Sequence, residues 1–463
     1  MKRILLFSLL IFASIVSLNA QVKLASIFTN NMVFQQSAKA PIWGMAMPTT
    51  KIQIIASWAP QDTVTAVADN GGRWKATLLT PKADLKSHTI ECNNIKISNV
   101  MLGEVWIASG QSNMQWNVER GILYGAAEAA KANRPMIRVF QVPLETALTP
   151  QEHIDGTWKE CTSEIMSSMS AVGYFFASAI NEGLKVPVGI ISDAWGGTPA
   201  EPWIPAQAIE RNAKLEGRLA KNVNVWNPIL PGRAYNQMIH PFTPLAIAGV
   251  VWYQGESNRE NAQVYDELMS TLIASWRQAF AQDFPFYFVQ IAPFNYGGNT
   301  LDAAILRENQ ERTSLHMPRT AMVVVSDKVN DVNNIHPLDK KSVGQRLATV
   351  ALVEHYGQNS VCYKSPTLEK ATFTRSRAII HLSQAQGGLV IKGKKAIGMQ
   401  IAGPDSVFVE ADAKILKDNT IEVYAKEVKE PCAVRYCFDD TTIGNIFSAT
   451  QYPVAPFRTD RKF

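Results

Sequence analysis

Four short polar segments near the middle of the chain bring together reactive residue types. They are Ser-Gly-Gln-Ser-Asn-Met at residues 109–114, Trp-Gly-Gly-Thr at 195–198, Gln-Gly-Glu-Ser-Asn at 254–258 and Ile-His-Pro at 335–337. A serine hydroxyl is a weak nucleophile at neutral pH unless a neighbouring base takes its proton, and histidine is the usual base. The sequence therefore predicts acyl transfer with Ser112 as the nucleophile and His336 as the base.

Three carboxylates compete for the role of orienting the imidazole. A carboxylate commonly holds a catalytic histidine in the right tautomer and stabilises its charge. Asp331 is the predicted acid because it is close to His336 in the sequence, and Asp327 and Glu256 are its rivals. A serine–histidine dyad that is oriented by a carbonyl or an amide is an open alternative. An unperturbed histidine titrates near pH 6.5, so we expect activity to fall below about pH 6.

The oxyanion of a tetrahedral intermediate needs hydrogen-bond donors. The predicted donors are the main-chain N–H of Ser112, an N–H in the Gly196–Gly197 turn and the side-chain amide of Gln254. Trp195 is predicted either to contact the substrate through its indole face or to pack in the core. The chain has no Cys-x-x-Cys pair and its seven histidines are scattered, so the sequence predicts no metal and no other cofactor.

The elements that must position these residues alternate between strand and helix. Short apolar runs read as strands at residues 105–107, 188–191, 247–252, 286–291 and 321–325, and apolar residues recur at the helical period over 172–180, 265–280 and 343–351. This alternation predicts a parallel sheet with helices on both faces. Because the carboxyl ends of parallel strands share one edge, we expect the four polar segments to meet there.

Three regions with different patterns of apolar and turn-forming residues follow the N-terminal leader. Residues 21–100 read as a small antiparallel β domain, residues 101–357 as the α/β core that carries the predicted acyl-transfer chemistry, and residues 358–463 as a β-rich region. The composition, 46% hydrophobic and 18% charged, is that of a globular protein. A formal net charge of only +5 predicts neither a nucleic-acid partner nor an anionic membrane as a partner.

The first 20 residues have the layout of a secretory signal peptide. Lys2 and Arg3 precede an apolar run from Ile4 to Leu18, and Ala20 offers a cleavage position. The run is too short for a good membrane span, which needs about 20 apolar residues. We therefore expect cleavage after Ala20 and a secreted or periplasmic protein without membrane insertion. An oxidising compartment permits disulfides, and the five cysteines leave at least one thiol unpaired within the chain.

Five segments occur in an order that carries a family resemblance. They are Gly-Gln-Ser-Asn-Met at 110–114, Trp-Gly-Gly-Thr at 195–198, Trp-Tyr-Gln-Gly-Glu-Ser-Asn at 252–258, Leu-Arg-Glu-Asn-Gln at 306–310 and Ile-His-Pro-Leu-Asp-Lys-Lys at 335–341. Together they resemble the motifs of the sialate O-acetylesterase family, which belongs to the SGNH hydrolases. Phe-Thr-Asn-Asn-Met-Val-Phe-Gln-Gln at 28–36 and Ala-Pro-Phe-Arg-Thr-Asp at 455–460 are similar to the family's flanking segments.

The resemblance implies a fold, a substrate class and residue roles. It implies a flavodoxin-like SGNH-hydrolase core, with a parallel sheet and helices on both faces, and with N- and C-terminal β domains. It implies no metal, and O-acetylated sialic acid or a related acetylated sugar as the substrate. It carries the nucleophile role to Ser112, the base role to His336, and oxyanion roles to the Gly196–Gly197 turn and Gln254. The Leu-Arg-Glu-Asn-Gln motif makes Arg307 a candidate for structural pairing or for substrate binding.

The base segment departs from the family pattern in one respect. Many SGNH enzymes have an aspartate three residues before the catalytic histidine, and this family often has one directly before Ile-His-Pro. Asn333 and Asn334 occupy these positions here. A catalytically inactive carbohydrate-binding relative is therefore one alternative. Another is the same chemistry on a different acetylated glycan such as xylan, because substrate choice lies in the loops around a site and not in the fold.

Overall fold

The N-terminal part of the chain forms short strands with alternating burial. The computed structural model describes residues 22–220, 227–298, 300–360, 363–385 and 387–460, so the predicted signal peptide lies outside the described residues. The first strands are β1 (Lys23–Leu24), β2 (Val33–Gln35), β3 (Lys39–Met45), β4 (Lys51–Ala56), β5 (Val64–Val67), β6 (Arg73–Leu79) and β7 (His88–Cys92). Every second side chain of β3 and β6 is buried, which is the pattern of a sheet with one solvated face.

The central sheet is parallel except at one edge. Its strands are β8 (Ile95–Gly110), β9 (Arg134–Gln141), β10 (Trp158–Cys161), β11 (Val188–Ala194), β12 (Gly249–Tyr253), β13 (Phe286–Val289) and β14 (Thr320–Val323). They lie in the order β10-β9-β11-β8-β12-β13-β14, and only β10 is antiparallel to its neighbour. Strands β11-β8-β12-β13-β14 have the 2-1-3-4-5 order of flavodoxin-like sheets, which confirms the predicted fold class.

One long strand joins the N-terminal strands to the central sheet. The first half of β8 pairs with β7, and its second half pairs with β11 and β12. β8 therefore runs through residue 100, where the sequence predicts a domain boundary. Along the buried half of β8, alternate side chains enter two different hydrophobic cores, with Val105 and Ile107 in one and Trp106 and Ala108 in the other. The sheet thus separates two apolar layers.

Helices cover both faces of the sheet, as the sequence predicts. They are α1 (Ser112–Gln115), α2 (Gly125–Lys131), α3 (Ser163–Ser168), α4 (Ala171–Leu184), α5 (Ala206–Glu210), α6 (Tyr265–Phe280), α7 (Asp302–His316) and α8 (Lys340–Glu354). Apolar side chains of α4 and α8 enter one core, and those of α6 and α7 enter the other. Thr162, Ser170 and Asp339 cap α3, α4 and α8 by accepting a main-chain N–H of the first turn.

Shorter helical turns occupy several connections. The 3₁₀ turns are Glu201–Trp203, Ala213–Leu215, His240–Phe242, Glu256–Val264 and Ser326–Lys328, and Tyr235–Ile239 is a π-helical turn. None of the helices in the described ranges has the length and apolar character that a membrane crossing requires. Four of the five cysteines lie in the described ranges, and all four are free thiols: Cys92, Cys161, Cys432 and Cys437.

The C-terminal part of the chain returns to strands and has its own core. The strands are β15 (Thr367–Phe373), β16 (Ala378–Ser383), β17 (Leu389–Ile391), β18 (Met399–Ala402), β19 (Val409–Glu410), β20 (Asp412–Ile415), β21 (Ile421–Tyr424), β22 (Ala433–Tyr436), β23 (Ile446–Ser448) and β24 (Phe457–Arg458). Their apolar side chains form a separate cluster. Arg458 joins this region to α7 through a two-pronged ion pair with Glu308 at 3.0 and 2.8 Å.

Candidate active site

Ser112 lies at a sharp turn between a strand and a helix. β8 ends at Gly110 and α1 begins at Ser112, so one residue separates the two elements. Gly110 has a φ of +137°, and a β-carbon there would lie 2.2 Å from the carbonyl oxygen of Tyr253. Only glycine permits this contact with the neighbouring strand. The turn leaves Ser112 partly exposed between the buried residues Gln111 and Asn113.

The structure brings the predicted nucleophile and the predicted base together. His336 Nε2 lies 2.9 Å from Ser112 Oγ, although the two residues are 224 positions apart in the sequence. In the tautomer that has its hydrogen on Nδ1, the hydroxyl donates to Nε2, which is the arrangement in which a base takes a proton from a nucleophile. The main-chain N–H of His336 donates to Asn334 Oδ1 at 3.0 Å.

The two aspartates that are predicted as acids bind other partners. Asp327 forms a two-pronged ion pair with Arg346, with N···O distances of 2.6 and 2.8 Å. Asp331 is exposed, and its Oδ1 accepts from the main-chain and side-chain nitrogens of Asn333 within the same loop. Among the described residues, no carboxylate is hydrogen-bonded to the ring of His336. In this geometry neither aspartate orients the imidazole, because each already holds part of its own loop.

Hydrogen bonds through Asn113 connect the third predicted acid, Glu256, to the segment that carries His336. Glu256 Oε1 accepts a hydrogen bond of 2.6 Å from Asn113 Nδ2, and both side chains are buried. The same nitrogen donates to the carbonyl oxygen of Ile335 at 3.0 Å, and Lys340 Nζ donates to Asn113 Oδ1 at 2.5 Å. Burial raises the pKa of Glu256 and lowers the pKa of Lys340 to about 7, and the attraction between the two charges opposes both shifts.

Trp116 covers one face of the imidazole. The rings of Trp116 and His336 are stacked, with centroids 3.9 Å apart and an interplanar angle of 19°. Burial and the positive charges of Lys340 and Arg120 lower the pKa of His336 to about 4. The imidazole is therefore in its neutral form, which a base requires, at all but acidic pH. The sequence places Trp116 near the site, but no spacing in it indicates this stacking.

The paired-glycine turn after β11 lies against the nucleophile. A β-carbon on Gly196 would lie 3.3 Å from Ser112 Cβ, so the turn approaches the serine as closely as packing permits. The N–H of Gly196 donates to Gln115 Oε1 at 2.8 Å. The N–H groups of Gly197 and Ser112 have no acceptor among the described residues. The nucleophile and the glycine turn therefore each carry one main-chain donor that the described residues leave without an acceptor.

Gln254, which is also predicted as an oxyanion donor, is turned into the protein. Its side chain is fully buried, and its nitrogen lies 3.1 Å from Gln111 Oε1, 3.2 Å from the carbonyl oxygen of Thr198 and 2.8 Å from Asn258 Oδ1. The hydroxyl of Tyr265 donates to its Oε1 at 2.7 Å. Both amide hydrogens are used inside the protein, so in this geometry Gln254 has none left for a substrate.

Asn227, which no motif in the sequence marks, is a neighbour of the glycine turn. Its Nδ2 lies beside Gly197, 2.2 Å from the position that a β-carbon on that glycine would take. Asn227 is in a connection without a recognisable motif, and only the fold brings it to the turn. A side-chain amide therefore lies beside Gly197.

Three polar residues of the nucleophile segment bind the other loops of the site. Gln111 Oε1 accepts from the main-chain N–H of Gly255 at 3.2 Å, which holds the loop after β12. Gln115 holds the glycine turn after β11 through Gly196. Asn113 binds both the loop after β12 and the base segment. These three residues, two of which flank Ser112, therefore connect the other loops of the site to the segment that carries the serine.

The two candidate residues for substrate contact differ in exposure. Arg307 is 1% exposed, and its guanidinium donates to the carbonyl oxygen of Asp439 in the C-terminal region. A side chain this buried offers no surface to a sugar, so in this geometry Arg307 joins α7 to the C-terminal region. Trp195 is partly exposed, and its contact with substrate stays a prediction. Within the described ranges, no group of three or more His, Cys, Asp or Glu side chains is arranged to hold a metal ion.

Known proteins are similar to this chain in sequence and in fold. A family model described as "Carbohydrate esterase, sialic acid-specific acetylesterase" matches residues 102–353. Sialate O-acetylesterase of Homo sapiens is 28% identical over an alignment of 405 residues that covers 79% of this chain and 77% of that protein. The sialate O-acetylesterase of Mus musculus is 28% identical over 428 residues, with 79% of each chain covered. The crystal structure of a carbohydrate acetylesterase from Xanthomonas citri is 32% identical, covers 96% of this chain and 100% of its own, and superposes with a TM-score of 0.87.

These matches include the elements that carry the site. The family-model match runs from within β8 to α8, so it contains both Ser112 and His336 and spans more than half of the chain. The structural match extends over 96% of the chain. The chain is an ester hydrolase, and it belongs to the carbohydrate esterase family of sialic acid-specific acetylesterases.

Proposed function

We propose that this protein removes acetyl groups from O-acetylated sialic acid through an acetyl-serine intermediate on Ser112, with His336 as the base. The observation that carries the proposal is the 2.9 Å distance between Ser112 Oγ and His336 Nε2, in a chain that belongs to a family of sugar acetylesterases. Sialic acid as the substrate is supported by the mammalian sialate O-acetylesterases, which are similar to this chain over 79% of its length.

The reaction consists of two acyl transfers. As Ser112 Oγ attacks the acetyl carbonyl, His336 Nε2 takes the hydroxyl proton, and a tetrahedral intermediate forms. The ester C–O bond then breaks, and the imidazolium returns the proton to the leaving oxygen of the sugar. A water molecule, deprotonated by the same imidazole, attacks the acetyl-serine, and acetate leaves as the serine hydroxyl is restored. Because the pKa of His336 is about 4, its imidazolium is a strong acid toward the leaving alkoxide.

The developing oxyanion would be bound by main-chain donors that have no acceptor among the described residues, together with the side-chain amide of Asn227. The main-chain N–H groups of Ser112 and Gly197 have no acceptor among the described residues, the glycine turn lies against Ser112, and Asn227 Nδ2 lies next to Gly197. Fixed donors of this kind are worth about 10²–10³ in turnover each. In this mechanism Gln254 and Gly196 act indirectly, because their hydrogens hold neighbouring loops in place.

Replacement of the nucleophile tests the chemistry. We expect Ser112→Ala to lower acetate release from O-acetylated sialic acid by about 10⁴-fold or more. A fluorophosphonate should label the wild-type protein at Ser112 and leave the variant unlabelled. Ser168→Ala is the matched control, because Ser168 is exposed and its hydroxyl donates only to carbonyl oxygens of its own helix. Unlabelled wild-type protein, or a variant as active as the wild type, would contradict the proposal and favour an inactive carbohydrate-binding relative.

A second substrate class has support from one observation. The carbohydrate acetylesterase from Xanthomonas citri is 32% identical to this chain and matches it over 96% of its length, which is more than the mammalian relatives cover. The same dyad would then act on another acetylated glycan, such as acetylated xylan. Rates of acetate release from O-acetylated sialic acid and from acetylated xylooligosaccharides, measured side by side, separate the two. A kcat/KM at least 10-fold higher on xylooligosaccharides would overturn the assignment to sialic acid.

We also propose that the protein is exported. The support is the charged start, the short apolar run and the cleavage position at the beginning of the sequence. We expect the mature protein, expressed with its full leader, to begin at Gln21. N-terminal sequencing of the purified protein is the test, and a chain that retains Met1 would contradict export through cleavage.

A further inference from the structure

Asn113 joins the segment that carries the nucleophile to the segment that carries the base. Its two side-chain hydrogens go to Glu256 Oε1 at 2.6 Å and to the carbonyl oxygen of Ile335 at 3.0 Å. Its side-chain oxygen accepts from Lys340 Nζ at 2.5 Å. We call these three side chains, together with the Ile335 carbonyl, the Asn113 clamp.

The clamp acts on the residues next to the two reacting groups. Asn113 directly follows the nucleophile, and Ile335 directly precedes the base. A displacement of either residue therefore moves Ser112 Oγ or His336 Nε2 directly. The imidazole has no carboxylate partner among the described residues that could restore its position. The contacts that position His336 are its stacking on Trp116, the hydrogen bond from its main-chain N–H to Asn334, and this clamp.

We propose that Asn113 and Lys340 are positioning residues for the esterase reaction, and that the Asn113 clamp holds the base at the nucleophile in place of the acid of a triad. This inference rests on the proposed dyad of Ser112 and His336. Asn113 contributes the connection between the segments, and Lys340 contributes the donor that fixes the orientation of the amide. The direct contacts of both residues are with other protein groups, so neither is called catalytic.

The burial of the clamp explains why it holds one geometry. Asn113 is 0% exposed, Lys340 is 1% exposed and Glu256 is 8% exposed. In such surroundings a lost hydrogen bond is not replaced by water, so each group keeps its partner. Lys340 Nζ also lies 5.5 Å from the centre of the Tyr253 ring, which gives the buried charge a second stabilising contact. Both hydrogens and the oxygen of the Asn113 amide are engaged. A flipped amide would place its nitrogen against Lys340 Nζ and its oxygen against the oxygens of Glu256 and Ile335.

Lys341 shows that the burial of Lys340 is specific to this position. The two lysines begin the same helix, but Lys341 forms an ion pair with Glu128 and its side chain is 39% exposed. Only Lys340 turns into the site. A requirement for positive charge near the start of α8 would be met by Lys341 as well, so the matched variants Lys340→Met and Lys341→Met separate the clamp from a general effect of charge.

The experiment measures how the variants affect turnover and binding separately. On a small acetyl ester such as p-nitrophenyl acetate, we expect Asn113→Ala and Lys340→Met to lower kcat by about 10²-fold, which is the typical result of a misplacement near 1 Å. KM should change less than about threefold, because neither side chain contacts the ester. Labelling of Ser112 by a fluorophosphonate should slow in parallel. Lys341→Met should stay within about twofold of the wild type.

The pH profile gives a readout that a purely structural role would leave unchanged. The charged groups that face His336 are Lys340 and Arg120, and those that face Lys340 are Glu256 and Asp339. Removal of the Lys340 cation makes the imidazolium less unfavourable, so the acid limb of kcat/KM should move to higher pH, by roughly one unit. Lys341→Met should leave this limb in place.

Glu256→Gln distinguishes the clamp from a direct acid role and remains informative if Asn113→Ala does not fold. Glutamine keeps an oxygen that can accept from Asn113, so the clamp predicts a loss of less than about tenfold. If Glu256 acted as the triad acid, the loss would approach about 10⁴-fold. Folded Asn113→Ala and Lys340→Met variants with lowered Tm but wild-type kcat, labelling rate and pH profile would overturn the inference. The proposed dyad fails separately, if wild-type Ser112 is not labelled at all.

Discussion

The nucleophile segment, residues 111–116, and the base segment, residues 324–340, reach the same point by different routes. The nucleophile segment follows the central strand β8 directly, and its residues Gln111, Asn113 and Gln115 each bind another loop. The base segment follows the edge strand β14 and returns past the ends of β13 and β12 before His336 meets Ser112. With neighbouring strands about 4.8 Å apart, that return covers roughly 14 Å.

The base segment uses its own carboxylates to hold this path. Asp327 binds Arg346 of α8, Asp331 closes a turn on Asn333, and Asp339 caps α8. None of the three is bonded to the imidazole. The nucleophile segment, in contrast, contains no acidic residue and works through side-chain amides. The difference teaches that a hydrolase site can be assembled by amides next to the nucleophile, while the carboxylates near the base stabilise the loop that delivers it.

Removal of the imidazole tests the base segment most severely. We expect His336→Ala to lower kcat/KM for acetate release by about 10⁴-fold, because no other imidazole contacts Ser112 in the described part of the chain. His153→Ala is the control, since His153 is exposed and pairs only with Asp155. If His336→Ala kept a tenth of the activity or more, another group would be the base, and the segment at residues 324–340 would not have the role proposed for it.

A β-carbon at the glycine turn tests the side of the site that the nucleophile segment organises. Gly197 has a φ of +76°, and a β-carbon there would lie 2.2 Å from Asn227 Nδ2. We expect Gly197→Ala to lower kcat by about 10²–10³-fold, because the turn must shift and its free N–H moves away from the oxyanion. Gly217→Ala is a matched control, with a φ of +67° and no atom within 4 Å of the added carbon. Equal losses in both variants would point to backbone strain alone.

The pH dependence sharpens the contrast between a dyad and a triad. The base must be neutral, so activity is present above the pKa of His336 and is lost as the pH falls through it. Since that pKa is lowered to about 4, we expect kcat/KM at pH 5 to stay near its plateau. With an unperturbed pKa near 6.5, it would be lower by roughly 30-fold. A limb at pH 6 or above, measured in the wild type, would mean that a carboxylate supports the imidazolium.

Neutralisation of Asp327 gives the smallest expected effect on catalysis. Its ion pair with Arg346 is mostly buried, with each side chain 10% exposed. We expect Asp327→Asn to lower the free energy of unfolding by about 1–3 kcal/mol, measured with urea, while kcat changes less than about threefold. Asp331→Asn is the control with an exposed carboxylate and should change neither quantity. A loss of kcat near 10⁴-fold in either variant would identify that aspartate as the acid after all.

The sequence by itself determined the layers of the core and predicted which residues react. Apolar periodicity predicted helices where α4, α6 and α8 lie and strands where β8, β11, β12, β13 and β14 lie, because each pattern depends on residues a few positions apart. The position of Ser112 after the first central strand also follows from local pattern. The predicted C-terminal strands are present for the same reason.

Only the tertiary structure decided which partners the polar side chains take. Proximity in the sequence favoured Asp331 as the acid, but its loop turns the carboxylate onto Asn333. A shared motif favoured Gln254 as an oxyanion donor, but Asn258 and Gln111 use its hydrogens. Asn113, like Ser112, meets its partner in the base segment more than two hundred positions away. Such contacts depend on the path of whole loops across the sheet, and no short-range pattern in a sequence records that path.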